Sequence, residues 1–333
     1  MWRGKKRTFR EFVIRAGIFT LGFLAIFGLM NAFYYYRVTR QDAFSILFNR
    51  FLDDNLQPRV MLLGDSHTAL DIRSQYLPDG YLNFTILGED WKQLYLRAIT
   101  AIRHKKGITH FVIPLEYHLF APYRAKNEFF TNYLRFSDLE DIREVFQPSP
   151  ATLFKARVAG YLPLVSPSNR NRLRQVIGED LAALLTDTEN IKAVRIDEWG
   201  GLVPTDDRAW SELPLVTRNT ELNDRIQKHF ADPLIAEELY DVFERFLELA
   251  QREGVQVIGV RYPLTVAYKE EAAKFNLAEL DERYASLQLS AVLDYRDLFD
   301  DHQDYFRDQD HLNEKGAHAF SPIIAKDLAS IIK

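Results

Sequence analysis

The sequence predicts an α/β fold with a parallel sheet, and two observations carry that expectation. Apolar runs of strand length recur at Arg59–Gly64, Tyr81–Leu87, Thr109–Leu115, Val255–Val260 and Ala291–Leu293, the first without interruption over Val60–Leu63 as in a buried strand of a parallel sheet. Helical patterns lie between several of them: Leu239, Val242, Phe243, Phe246, Leu247 and Ala250 line one face of Glu237–Arg252. A last helix is expected over Glu314–Ile332, capped by Asn313, with Ala317, Phe320, Ile324, Leu328 and Ile331 facing the core.

From the N-terminus, Arg3, Lys5, Lys6, Arg7, Arg10 and Arg15 precede an uncharged apolar run from Ala16 to Phe33, closed by Tyr34, Tyr35, Tyr36 and Arg37. About 20 such residues cross a bilayer core, and Tyr favours its interface. We read residues 1–37 as a cytoplasmic tail and a single transmembrane anchor. The basic flank keeps the tail inside, so the rest of the chain is expected outside the cytoplasmic membrane, periplasmic or extracellular. Two other readings compete: a cleaved signal sequence, which lacks a small-x-small site after the run, and a buried core helix, which would be amphipathic.

Residues 38–58 form a linker in which Phe44, Leu47, Phe48, Phe51 and Leu52 recur at helical spacing, as a stalk or a first packing helix. The main domain spans 59–333. Between about 120 and 232 the alternation fails, and helical pieces are punctuated by Pro148, Pro150, Pro163, Pro167, Gly200, Gly201 and Pro204. A structureless loop of that length is implausible in a compact domain, so a mostly helical insertion is expected over the sheet, as a cap or docking surface.

Composition narrows the function. With 47% hydrophobic and 27% charged residues the chain can bury a core, and a net charge of −5 argues against nucleic acid held on a broad basic surface. The chain has no Cys, which removes disulfides, Cys-bound zinc and thiol nucleophiles.

Two segments carry chemistry. Leu63-Gly64-Asp65-Ser66-His67-Thr68 follows the first strand, where a serine stands at the carboxyl end of the sheet and its N–H can face a developing oxyanion. Asp308-Gln309-Asp310-His311-Leu312-Asn313 precedes the last helix, with an acid three residues before a histidine. Each alone has a bland reading, an ordinary turn and a solvated acidic loop. Together they resemble the SGNH/GDSL hydrolase superfamily, over roughly 56–120 and 233–333.

That resemblance implies a flavodoxin-like three-layer α/β/α fold with Ser66 as nucleophile, His311 as general base and Asp308 as the residue orienting it. It places Gly88, in Tyr81–Gly88, beside the Ser66 N–H in the oxyanion hole. The family's third block carries Gly-x-Asn-Asp, whereas Leu115-Glu116-Tyr117-His118 stands here without an Asn. His118 or Tyr117 is the candidate replacement or substrate contact. No cofactor and no metal is expected.

The departure, the anchor and the insertion look like the divergent members that modify cell-envelope polymers, the teichoic-acid D-alanylation and the alginate and peptidoglycan O-acetylation proteins. Gly254–Leu264 fits that subgroup loosely. Its members imply a polysaccharide or acyl-donor substrate and a membrane-bound O-acyltransferase as partner. A non-catalytic scaffold that holds a polymer or such a partner is the alternative. A minor one reads Asp65-Ser66-His67 as the Asp-x-His start of a metallophosphoesterase. His104, His110, His229, His302 and His318 show no ligand spacing and read as surface residues. Tyr123, Phe129, Phe130, Tyr133 and Trp199 are either sugar-stacking or core aromatics.

Overall fold

A computed structural model of the chain describes residues 9–126, 129–186, 194–196, 201–204 and 208–332. The chain falls into two compact units, Met1–Ser45 with Ser149–Asn190, and Ile46–Pro148 with Ile191–Lys333. In chain order the elements are α1 (Phe9–Arg37), α2 (Ala43–Phe51), β1 (Val60–Leu62), α3 (Ser66–Asp71), β2 (Tyr81–Asn83), α4 (Trp91–His104), β3 (His110–Pro114), α5 (Pro122–Ala125), α6 (Leu139–Phe146) and α7 (Pro150–Tyr161). They continue with α8 (Pro167–Thr186), β4 (Val194–Ile196), β5 (Leu202–Pro204), α9 (Leu215–His229), α10 (Glu237–Arg252), β6 (Gln256–Arg261), α11 (Val266–Ala272), α12 (Ala278–Ala285), β7 (Ala291–Asp294) and α13 (Glu314–Ile331).

In the larger unit, all five apolar runs become strands of one parallel sheet in the order β2-β1-β3-β6-β7. The α/β expectation therefore holds. The longest pairing joins β3 to β6, from His110↔Gln256 to Pro114↔Val260. Successive side chains leave opposite faces of a strand, so both faces need a cover. Val60, Leu62, Val112, Ile258 and Val260 share a core with Phe320, Ile324 and Leu328 of α13. On the other face Phe111 meets Phe246 of α10 at 5.6 Å between ring centroids, and Trp91 of α4 meets Phe243 at 4.2 Å.

Local signals set the helix ends. Asp90 caps α4 by accepting from the Lys92 N–H at 2.8 Å, while Gln93 Oε1 accepts from the Asp90 N–H at 2.7 Å, a reciprocal capping box. Asn313 caps α13 through the Gly316 N–H at 2.9 Å. Of the two expectations for the linker, packing is what Phe48 and Phe51 do: both are buried, with ring centroids 4.9 and 4.6 Å from Phe84.

In the smaller unit, α1 is long and apolar enough to cross a membrane, and its most apolar window buries nothing. Its 29 residues extend about 43 Å at 1.5 Å per residue. Two side chains near its C-terminal end, Asn31 and Tyr34, are buried. The segment expected as one insertion is divided. Ser149–Asn190 groups with α1, whereas α5, α6, α9 and the antiparallel pair β4-β5 belong to the larger unit.

Candidate active site

Ser66 opens α3 directly after β1, at the carboxyl end of the sheet. Asp65 is the N-cap and accepts from the His67 N–H at 3.2 Å. A close approach makes Gly64 necessary: a Cβ there would stand 2.1 Å from Thr68 Oγ1 and 3.2 Å from Pro114 Cδ. The turn can pack its own helix only without a side chain at this position.

His311 comes from a tight loop closed by a bridge between Phe306 and Leu312. Asp308 Oδ1 accepts from the Asp310 and His311 N–H groups at 3.1 and 2.9 Å, which folds the loop so that the same carboxylate meets the ring. His311 Nδ1 lies 2.9 and 3.1 Å from the two Asp308 oxygens, and His311 Nε2 lies 2.8 Å from Ser66 Oγ. With the Nδ1 proton facing the carboxylate, Nε2 is the nitrogen left to accept from the serine hydroxyl. Residues 245 positions apart thus form the expected line Ser66–His311–Asp308.

Asp71, at the last turn of the Ser66 helix, holds the two halves in register. Its buried Oδ1 accepts from the Leu312 N–H at 2.9 Å. Burial pushes the Asp71 carboxyl up to about 7, against the pull of His67 and His311. Arg73 adds a second tie, donating to Glu314 Oε2 at 3.0 Å.

Around the triad lies a row of four buried histidine rings. His311 stacks on His67 at 4.5 Å between centroids, His67 faces His118 at 5.1 Å, and His118 stacks on His229 at 4.4 Å. Burial opposes the charge on His311, but Asp308 and Asp310 outweigh it and hold the imidazolium well above the ordinary histidine range. Asp310 Oδ1 stands 3.3 Å from His311 Nδ1. Burial and the His311 charge oppose protonation of His67, yet the Asp65 and Glu116 carboxylates raise it. At the other end, burial and then the Arg124 guanidinium push His118 down to about 3. Burial and then His118 hold His229 well below its ordinary value.

Asp65 is the hinge of this arrangement. Its Oδ2 accepts from Arg124 at 2.8 Å and lies 2.9 Å from His118 Nε2. Burial opposes the carboxylate charge, but Arg124 and the bonds to His118 and His67 hold it well below the usual range. Arg124 also donates to the Glu89 carbonyl, so one buried guanidinium joins the residue before Ser66 to the residue after Gly88. Gly88 itself turns the chain at φ +76°, in the left-handed region that suits glycine.

The two candidate replacements for the missing Asn have other partners. His118 Nε2 is committed to Asp65, and the Tyr117 hydroxyl donates to Asp281 Oδ1 at 2.6 Å. Glu116 turns inward to accept from the Tyr262 N–H at 2.9 Å. Beside it opens a cavity of about 340 Å³ lined by Glu116, Tyr117, Arg261, Leu264, Tyr268 and Arg296 among others, with no triad residue in its wall.

Donor atoms of Asp65, His67 and His118 lie within 4.8 Å of one another, as do those of His67, Asp310 and His311. The first group already has its cation in Arg124. In the second, Arg225 stands 3.6 Å from Asp310 Oδ1, and His311 Nδ1 is engaged by Asp308. Each group thus has a guanidinium beside one of its carboxylates.

Three site residues come from segments that gave no motif. Arg124 is on α5, and Arg225 and His229 are on α9. His229, expected at the surface, is 2% exposed, and His110 is also buried. Burial in the ring stack and a 2.8 Å bond to the Tyr268 hydroxyl account for His229. Phe130 and Tyr133 are core residues. Tyr123 lies parallel to His229 at 6.0 Å, with Lys228 over its ring. Trp199 and the Phe129 side chain lie outside the described residues. No protein-family model matches the chain, and no curated protein matches it.

Proposed function

We propose that the chain is a serine acyl-transfer enzyme of the SGNH/GDSL type, anchored in the cytoplasmic membrane by α1 and acting outside it on a cell-envelope polysaccharide. The observation that carries this reading is the 2.8 Å approach of His311 Nε2 to Ser66 Oγ with Asp308 on the opposite ring nitrogen. The strand order supports it: counted in chain order, the five strands of the parallel sheet lie 2-1-3-4-5, the order that flavodoxin-like folds have, with their sites at the carboxyl ends.

In the proposed course, Ser66 Oγ attacks the carbonyl of an ester or thioester while its proton passes to His311 Nε2. The Ser66 and Gly88 N–H groups hold the oxyanion, with Arg124 fixing the distance between their loops. As the tetrahedral intermediate collapses, the bond from carbon to the leaving oxygen or sulfur breaks, and His311 returns the proton to it. A sugar hydroxyl or water then attacks the acyl-serine by the same steps in reverse. A membrane-bound O-acyltransferase is the proposed donor-side partner.

The engagement of His118 and Tyr117 elsewhere favours a second reading, a scaffold of the same fold without catalysis. Hydrolysis of p-nitrophenyl acetate by the full chain in detergent separates the two. The enzyme reading expects turnover that falls by about a thousandfold or more in Ser66→Ala. Equal rates for the two proteins would leave the scaffold.

A further inference from the structure

We infer that the hairpin between α7 and α8 dips into the lipid leaflet at the Arg37 end of α1 and is a second membrane contact of the chain. The inference rests on the reading of α1 as the membrane-spanning helix. Counting from Arg15 to Arg37, the uncharged stretch measures about 31 Å at 1.5 Å per residue, which matches a hydrocarbon core. Asn31 lies six residues before Arg37, about 9 Å inside that end. A polar amide at this depth needs partners. It has two: Asn31 Nδ2 donates to the Phe27 carbonyl at 2.7 Å, and its Oδ1 accepts from the Leu164 N–H at 2.9 Å.

That second bond brings the hairpin tip to the same depth. Tyr34 reinforces it, donating to Asn169 Oδ1 at 3.1 Å and packing with Leu164 and Leu173. Backbone can sit at membrane depth only if its own polar groups are satisfied. The N–H groups of the tip meet that condition. The Leu162 N–H donates to Val158 at 2.8 Å, Val165 to Leu162 at 3.0 Å and Ser166 to Pro163 at 3.1 Å, Leu164 donates to Asn31, and Pro163 has no N–H.

The outward side chains complete the case. Phe154 is 69% exposed, Tyr161 78% and Val165 46%, a cluster that water would not favour and lipid would. Val158 to Asn169 carries no charge, while Lys155 and Arg157 flank it on one arm and Arg170, Arg172 and Arg174 on the other. Long cationic side chains on both arms reach headgroups while the uncharged tip lies below them, and they favour anionic lipid. The chain's own continuity with α1 selects a bilayer as the occupant of this surface.

The absence of Cys makes a site-specific test direct, because any introduced Cys is unique. The full chain carrying a nitroxide at Tyr161→Cys, Val165→Cys, Leu24→Cys or Lys106→Cys is placed in vesicles of phosphatidylethanolamine and phosphatidylglycerol. Relaxation by oxygen, which enters lipid, is compared with relaxation by a nickel chelate, which stays in water. The Tyr161 and Val165 labels are expected to match Leu24 in α1, with high oxygen and low nickel contact, and to oppose Lys106. Nickel contact at the Lys106 level, or exclusion of both reagents by a second copy of the chain, would overturn the inference while leaving α1 in place. Nickel contact at Leu24 would remove the anchor reading and this inference with it.

Discussion

The two ends of the histidine row show one side chain type in opposite states. At the His311 end, Asp308 and Asp310 surround the ring and favour its charged form. At the His118–His229 end the same burial meets Arg124 rather than a surplus of carboxylate, and both rings are held neutral. Burial alone would push all four down. The carboxylates decide which imidazoles can take a proton: they raise His67 as well as His311, and of these two His311 is the one on Ser66. The neutral end serves as packing and as a fixed wall behind Asp65.

The comparison predicts unequal consequences. The largest effect belongs to Asp308→Asn, which leaves the shape but removes the charge and turns one of the two oxygens at His311 Nδ1 into an N–H donor. Its kcat/KM toward p-nitrophenyl acetate should drop about ten-thousandfold. A loss of only a few-fold would assign the orienting role to Asp310.

Arg124→Leu removes the cation at the neutral end and leaves Asp65 buried without its main partner. Stability should fall by about 3–5 kcal/mol in urea unfolding at neutral pH. Asp65 has a lowered value in the folded chain, so its contribution is present above the ordinary carboxylate range and is lost as pH falls through the folded value. The penalty should therefore shrink in acid. A penalty still undiminished in stronger acid, well below the ordinary carboxylate range, would contradict the ion pair as its cause.

Legibility in the sequence follows the same division. Ser66, His311 and Asp308 were readable because each sits at a strand or helix end inside a local pattern, and short-range bonds such as His311 N–H to Asp308 enforce that pattern. The inner strands β1, β3 and β6 were readable for a related reason, since burial on both faces leaves an apolar run, whereas the edge strand β7 is half-exposed. Arg124 and Arg225 had no such signature. Each is one cation on a helix within the Pro-punctuated segment, and Arg124 gains its meaning only by meeting Asp65 across 59 residues. His229 reads as a surface histidine in the sequence, and the ring stack buries it. The division of that segment was also hidden, because Asn31 in an apolar run gives no hint that Leu164 will bond to it.

A smaller effect sharpens the charged end. To act as the proposed general base His311 must be neutral, so the rate should rise with pH through its raised value rather than through the ordinary range near 6.5. Asp310→Asn removes one of the two raising charges and should move that limb of kcat/KM to lower pH. The stability linkage has the matching sign: the His311 ion pairs stabilise the fold at low pH and their contribution is lost as pH rises through the folded value. A limb that stays in place would mean that Asp308 alone sets the titration.

The smallest effect is expected at the far end of the row. His229→Gln keeps a polar partner for the Tyr268 hydroxyl and should cost about 1 kcal/mol of stability, with the pH profile unmoved. A displaced profile would show that protons are shared along the whole stack.

Ser66 is the proposed nucleophile, activated by His311. A fluorophosphonate probe applied to the full chain in detergent, with the labelled peptide identified by mass spectrometry, tests it most directly. A single adduct on Ser66 is expected, forming faster as pH rises and lost in His311→Gln. Absence of any Ser66 adduct, or labelling of Ser66 at an undiminished rate in His311→Gln, would contradict it.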